Sequence, residues 1–144
     1  MTGYHLLRDS LINELQSNPF VNVVSEGLGD EIDLSKQTIF PLSHIVILDA
    51  TPNNNIVTFN VEVYCVDIVD ISDEGISDNK QDVINTQYNV GLRLYESLRR
   101  GALWTSGLEQ TSMKMERLEQ AFENLLAGWK ISVSIMIPNH MSIC

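Results

Sequence analysis

Ile45-Val46-Ile47-Leu48, then Thr51-Pro52-Asn53-Asn54-Asn55, then Val57-Thr58-Phe59-Asn60-Val61-Glu62-Val63-Tyr64-Cys65: this stretch decides how the chain is read. The first run is apolar and is bounded by Asp49. In the last, Val57, Phe59, Val61, Val63 and Cys65 alternate with Thr58, Asn60, Glu62 and Tyr64. A period of two with one apolar face marks a half-buried antiparallel strand. The turn-rich residues between the two runs predict a long β-hairpin.

Working outward, Leu7, Leu11 and Leu15 recur at i, i+4 and i+8, and Ile12 widens the stripe. The pattern predicts a helix over 4–17, stopped at Asn18-Pro19 because the residue before proline is pushed out of the α region. Phe20–Ser25 is apolar and β-branched enough for a short strand, followed by a glycine-bearing loop over 26–31. Past the hairpin, Asp67 to Asp78 form an acidic linker. Asp78 and Gln81 make a capping-box-like pair at the start of a helix over about 79–99. Val83, Ile84, Gln87, Gly91, Leu94, Tyr95 and Leu98 line one face of that helix. Arg99 and Arg100 complement its dipole, and Gly101 follows as the C-terminal glycine.

Nearer the C-terminus, Met113–Leu118 reads as a strand, while Leu118, Ala121, Phe122 and Leu125 have helical spacing. A strand passing into an irregular turn accommodates both patterns. Trp129, Ile131, Val133, Ile135 and Ile137 then alternate with Lys130, Ser132, Ser134 and Met136 as a final strand ended by Pro138. The order of elements predicts an α+β fold, a mostly antiparallel sheet with a long β-hairpin and two helices packed on one face. No repeat or linker divides the chain, so 1–144 is expected to be a single domain.

At 144 residues the chain can bury a core without a disulfide or metal staple. Its apolar runs are far shorter than the ~18 residues of a membrane span. Met1-Thr2-Gly3-Tyr4-His5 does not open a signal peptide, so the chain is expected to remain in the compartment where it is made. The net charge is −10, and it is uneven: residues 1–90 hold 14 acidic and 3 basic side chains, residues 91–144 hold 5 and 6. Such a field repels phosphate backbones and anionic membranes, which argues against direct nucleic-acid binding.

Motifs for chemistry fall at background level. His5, His44 and His140 lack the i, i+4 spacing of a helical metal pair, and each reads as an ordinary surface or strand-end histidine. There is no G-x-S-x-G elbow and no Walker lysine, and Gly27-Leu28-Gly29 lacks a third glycine. Cys65 reads as a buried apolar thiol and Cys144 as a free terminal one. With no CxxC and no secretory context, a reducing cytosol is the default. The acidic series Asp67, Asp70, Asp73, Glu74, Asp78 and Asp82 does not fit an EF-hand, because Ile68-Val69 and Ile71-Ser72 separate the acids. No catalytic, metal-binding or cofactor-binding residues are expected. Apolar residues in exposed settings instead point to subunit contacts: Ile39 and Phe40 before Pro41, Trp104 after the helix stop, and Met136 on the polar side of the last strand.

Two stretches carry a resemblance. Asp33-Leu34-Ser35-Lys36-Gln37-Thr38-Ile39-Phe40-Pro41-Leu42-Ser43-His44-Ile45 leads into the hairpin, and Phe122-Glu123-Asn124-Leu125-Leu126-Ala127-Gly128-Trp129 leads into the last strand. With the order of elements between them, the chain resembles the tail-terminator and tail-completion proteins of tailed bacteriophages over nearly its whole length. The resemblance implies a virion subunit assembled in the host cytoplasm. It would form a closed, six-fold ring that caps the tail tube and joins it to the neck, stopper or portal proteins. It brings no enzymatic activity and no cofactor. Asp67, Asp70, Asp73 and Glu74 would face the lumen or its rim, where DNA passes without specific binding. Gly128 is expected to permit a tight turn and Trp129 to plug the core between sheet and helix. Two rivals stand beside this reading: a head–tail connector or neck ring protein, and a small cytosolic ligand-binding or hydrolytic domain using His44 and the acidic residues.

Overall fold

A computed structural model of the chain describes residues 3–27, 41–68, 80–121 and 126–139. Ile39, Phe40, Asp70, Asp73, Glu74, the Asp78 cap, Phe122–Leu125, His140 and Cys144 lie outside the described residues. The elements are α1 (Gly3–Gln16), β1 (Val23–Glu26), β2 (Leu42–Asn53), β3 (Ile56–Ile68), α2 (Lys80–Arg100), α3 (Ala102–Thr105), β4 (Glu109–Ala121) and β5 (Leu126–Pro138). One five-stranded sheet runs in the order β1-β2-β3-β5-β4. β1 is parallel to β2, and every other pairing is antiparallel. The class is α+β with a mostly antiparallel sheet.

α1 buries Leu7, Leu11 and Leu15 on one stripe. It ends where Asn18 captures the chain: its Oδ1 accepts the Phe20 N–H at 3.0 Å and its carbonyl accepts the Val21 N–H at 3.1 Å. That turn consumes Phe20 to Asn22, so the first strand starts at Val23 rather than Phe20, and Phe20 is left exposed. β1 then pairs with β2 from Val23 opposite Leu42 to Glu26 opposite Ile45.

β2 runs further than its apolar start suggested. Thr51, Pro52 and Asn53 belong to the strand, opposite Thr58, Val57 and Ile56, and the turn is confined to Asn54-Asn55. Asn54 takes a φ of 56°, the left-handed region that asparagine tolerates better than most residues. A bulge between Ile47 and Asp49 absorbs Leu48 and resets the alternation: Ile47 faces Val61, but Asp49 faces Asn60.

One core cluster holds Leu7, Leu11 and Leu15 of α1 and Val90, Leu94 and Leu98 of α2. It also holds alternate residues of β3 (Phe59 to Cys65) and of β5 (Ile131 to Ile137). The end of α2 differs from the expected left-handed cap. Gly101 has a φ of −111°, and what requires glycine there is crowding, since a Cβ would lie 2.9 Å from the Ser97 Cα. Ser97 also accepts the Leu103 N–H on its Oγ at 3.2 Å, which starts α3 at once.

In the C-terminal third the strand pattern wins over the helical spacing as far as Ala121. Gly128 makes no turn. It lies inside β5, opposite Val66 on one side and Leu118 on the other, at a φ of 153°. A Cβ there would fall 1.9 Å from the Cys65 carbonyl oxygen. Trp129 packs on Val83, Ile84 and Ala127, and its Nε1–H donates to the Ile84 carbonyl at 2.9 Å, tying β5 to the first turns of α2. Gly128→Ala combines a backbone clash with an unfavourable φ and is expected to destabilise the fold by about 3 kcal/mol. Urea unfolding monitored by Trp129 fluorescence measures the loss.

Candidate functional site

The sheet face opposite the core is built by register. Ser25, His44, Tyr64, Lys130 and Glu116 fall in one row across all five strands. Val46, Glu62, Ser132 and Lys114 form the next row, and Asp49, Asn60, Ser134 and Ser112 the one after. The alternating polar residues of β3 and β5 are therefore gathered on one surface. Their charges are met locally: Lys130 Nζ lies 2.8 Å from Glu62 Oε2, and Lys114 Nζ lies 3.2 Å from Glu116 Oε1. The hydrogen bond to Glu62 holds the Lys130 ammonium above its usual range, and burial followed by the Glu62 charge raises the Tyr64 phenol.

Beyond the ion pairs, Asn60 Nδ2 donates to Asp49 Oδ1 at 2.6 Å, and Ser134 Oγ donates to Asn60 Oδ1 at 2.7 Å. The small side chains Ser112, Ser132 and Ser134 leave an open groove of about 350 Å³ along this face, with Leu48, Glu62 and Lys114 on its walls. In it the Ser134 hydroxyl and the Asn60 amide are already engaged with one another.

Sequence reading missed the placement of His44. It is 1% exposed and shares a 2.6 Å hydrogen bond through Nδ1 with Ser25 Oγ, so it is not a surface histidine. The two residues lie 19 positions apart and meet only because β1 pairs in parallel with β2. Gln87 is also unusual: it is fully buried on α2, and neither amide atom has a partner among the described residues. An unpaired buried amide costs about 1–3 kcal/mol. Among the described residues, no three His, Cys, Asp or Glu side chains gather as a metal site.

A second surface lies at the corner where α2 meets α3. An open groove of about 440 Å³ there is lined by Glu14, Arg93, Glu96, Ser97, Arg100 and Ala102, together with Gly101. Arg93 approaches Glu14 at 3.7 Å, while Arg99 and Arg100 both reach Glu96 Oε2, at 3.0 and 2.7 Å. That pairing lowers the Glu96 carboxyl from its usual range, the Arg99 hydrogen bond first among the causes.

The expected contact residues are dispersed. Trp104 stands on α3 with 55% of its surface exposed. Met136 lies on the polar face of β5, opposite Thr58 and Glu109, half-buried. Asp67 is half-buried near the end of β3, opposite Ala127 and on the core side in register with Val63 and Cys65. The structure thus puts Asp67 and Met136 on opposite faces of the sheet. Among the described residues no helix is long and apolar enough to cross a membrane. Compared with known proteins, the chain matches no family model and no curated protein.

Cys65 sets a pH limit on the site's support. The thiol is fully buried, with Ser43 Oγ 3.9 Å from its sulfur, and burial pushes it up from 9.0 to about 12. Below pH 9.0 both states keep the proton, and above it the unfolded chain sheds a proton that the folded chain retains. Stability therefore falls as pH rises through that window, with a slope of up to about 1.4 kcal/mol per pH unit from this group. The raised Tyr64 and Lys130 act in the same direction. The expected outcome is a urea midpoint that drops from about pH 8 to about pH 10, and drops less in Cys65→Val.

Proposed function

We propose that this chain is a structural subunit of a tailed-phage virion: a tail terminator that closes into a six-fold ring, ends the tail tube and joins it to the neck. On this reading β2 and β3 serve as a long hairpin, and α1 and α2 as one helical layer on one face of the sheet. The subunit acts by fitting against copies of itself and against the tube, stopper or portal proteins, with no bond made or broken. The observation that carries the reading is the pair of stretches 33–45 and 122–129 at their places in the element order. Supporting it, large apolar side chains stand exposed at Phe20, Leu48 and Trp104, the kind of surface that assembly covers. The acidic stretch at Asp70, Asp73 and Glu74 lines the passage on this reading, where like charge keeps DNA from adsorbing.

The neighbouring station, a head–tail connector or neck ring, is separated by particles that lack the protein. Overlong tails in electron micrographs are expected for a terminator, and DNA-leaking heads would assign the connector instead. A hydrolytic domain has one observation in its favour, the Ser25–His44 hydrogen bond at 2.6 Å. A substrate consumed by the purified chain, and not by His44→Gln, would establish that rival. Reversing Asp70, Asp73 and Glu74 to lysine is expected to reduce plaque formation while circular dichroism and the unfolding midpoint stay at their wild-type values. Asp67 is excluded from this set because its half-buried position mixes lumen charge with folding.

A further inference from the structure

We draw no further inference here: the strongest candidate, the flank of α2 where Tyr88 and Leu92 stand exposed one turn apart and Met115 of β4 packs against Gly91, is an exposed apolar face, and nothing in the structure shows what covers it.

Discussion

β3 and β5 share an unbroken antiparallel ladder from Ile56 opposite Pro138 to Ile68 opposite Leu126, and every other element is positioned from it. The ladder joins residues more than 50 positions apart in sequence, so its hydrogen bonds form only after a long loop has closed. Its core side supplies Val61, Val63, Cys65, Ile131, Val133 and Ile135, against which the helices bury their leucines. At Gly128 the β3 backbone leaves no room for a Cβ beside the Cys65 carbonyl. One atom at that point would force the pair apart and move the Trp129 anchor to Ile84 with it. Register here is a requirement of both layers, because a slip of one residue would exchange the core face for the polar one.

How much of this could be read from the sequence depends on how regular each stretch is. β3 and β5 were legible because Val57 to Cys65 and Trp129 to Ile137 keep an unbroken period of two. α1 and α2 were legible from leucines at helical spacing, and their observed limits fall within a residue or so of the expected ones. Where the period breaks, reading failed. Leu48 in the bulge shifts the alternation of β2 by one, and Thr51 to Asn53 were read with the turn although they continue the strand. Phe20 looked like strand because its apolar side chain carries no sign of the Asn18 turn that takes its N–H. The parallel β1–β2 pairing has no local signature at all, since it is decided by contacts between distant parts of the chain.

The site follows the same logic. The polar row from Ser25 to Glu116 is made of unremarkable residues, and only five-strand register brings them into line. Trp104 was identifiable as an exposed aromatic because a helix stop precedes it, whereas the cluster of Arg93, Arg99 and Arg100 around Glu14 and Glu96 depends on α1 lying beside α2. Gln87 was placed among apolar neighbours on its helix face, but its missing partners are a property of the packed state. Both Gln87 and His44 show polar groups drawn into the interior at a stability cost or through a specific partner, which composition alone does not reveal.

The proline and bulge of β2, beyond its pairing with β1, and the breaks and charged side chains of β4 have a consequence for contacts between free molecules. Growth of a cross-β fibre starts when one molecule templates its border on another, and Pro52 on β2 and the breaks and charges of β4 obstruct such pairing along those two stretches. Fibre-like growth from those stretches is thereby disfavoured even though Phe20, Leu48 and Trp104 stand exposed.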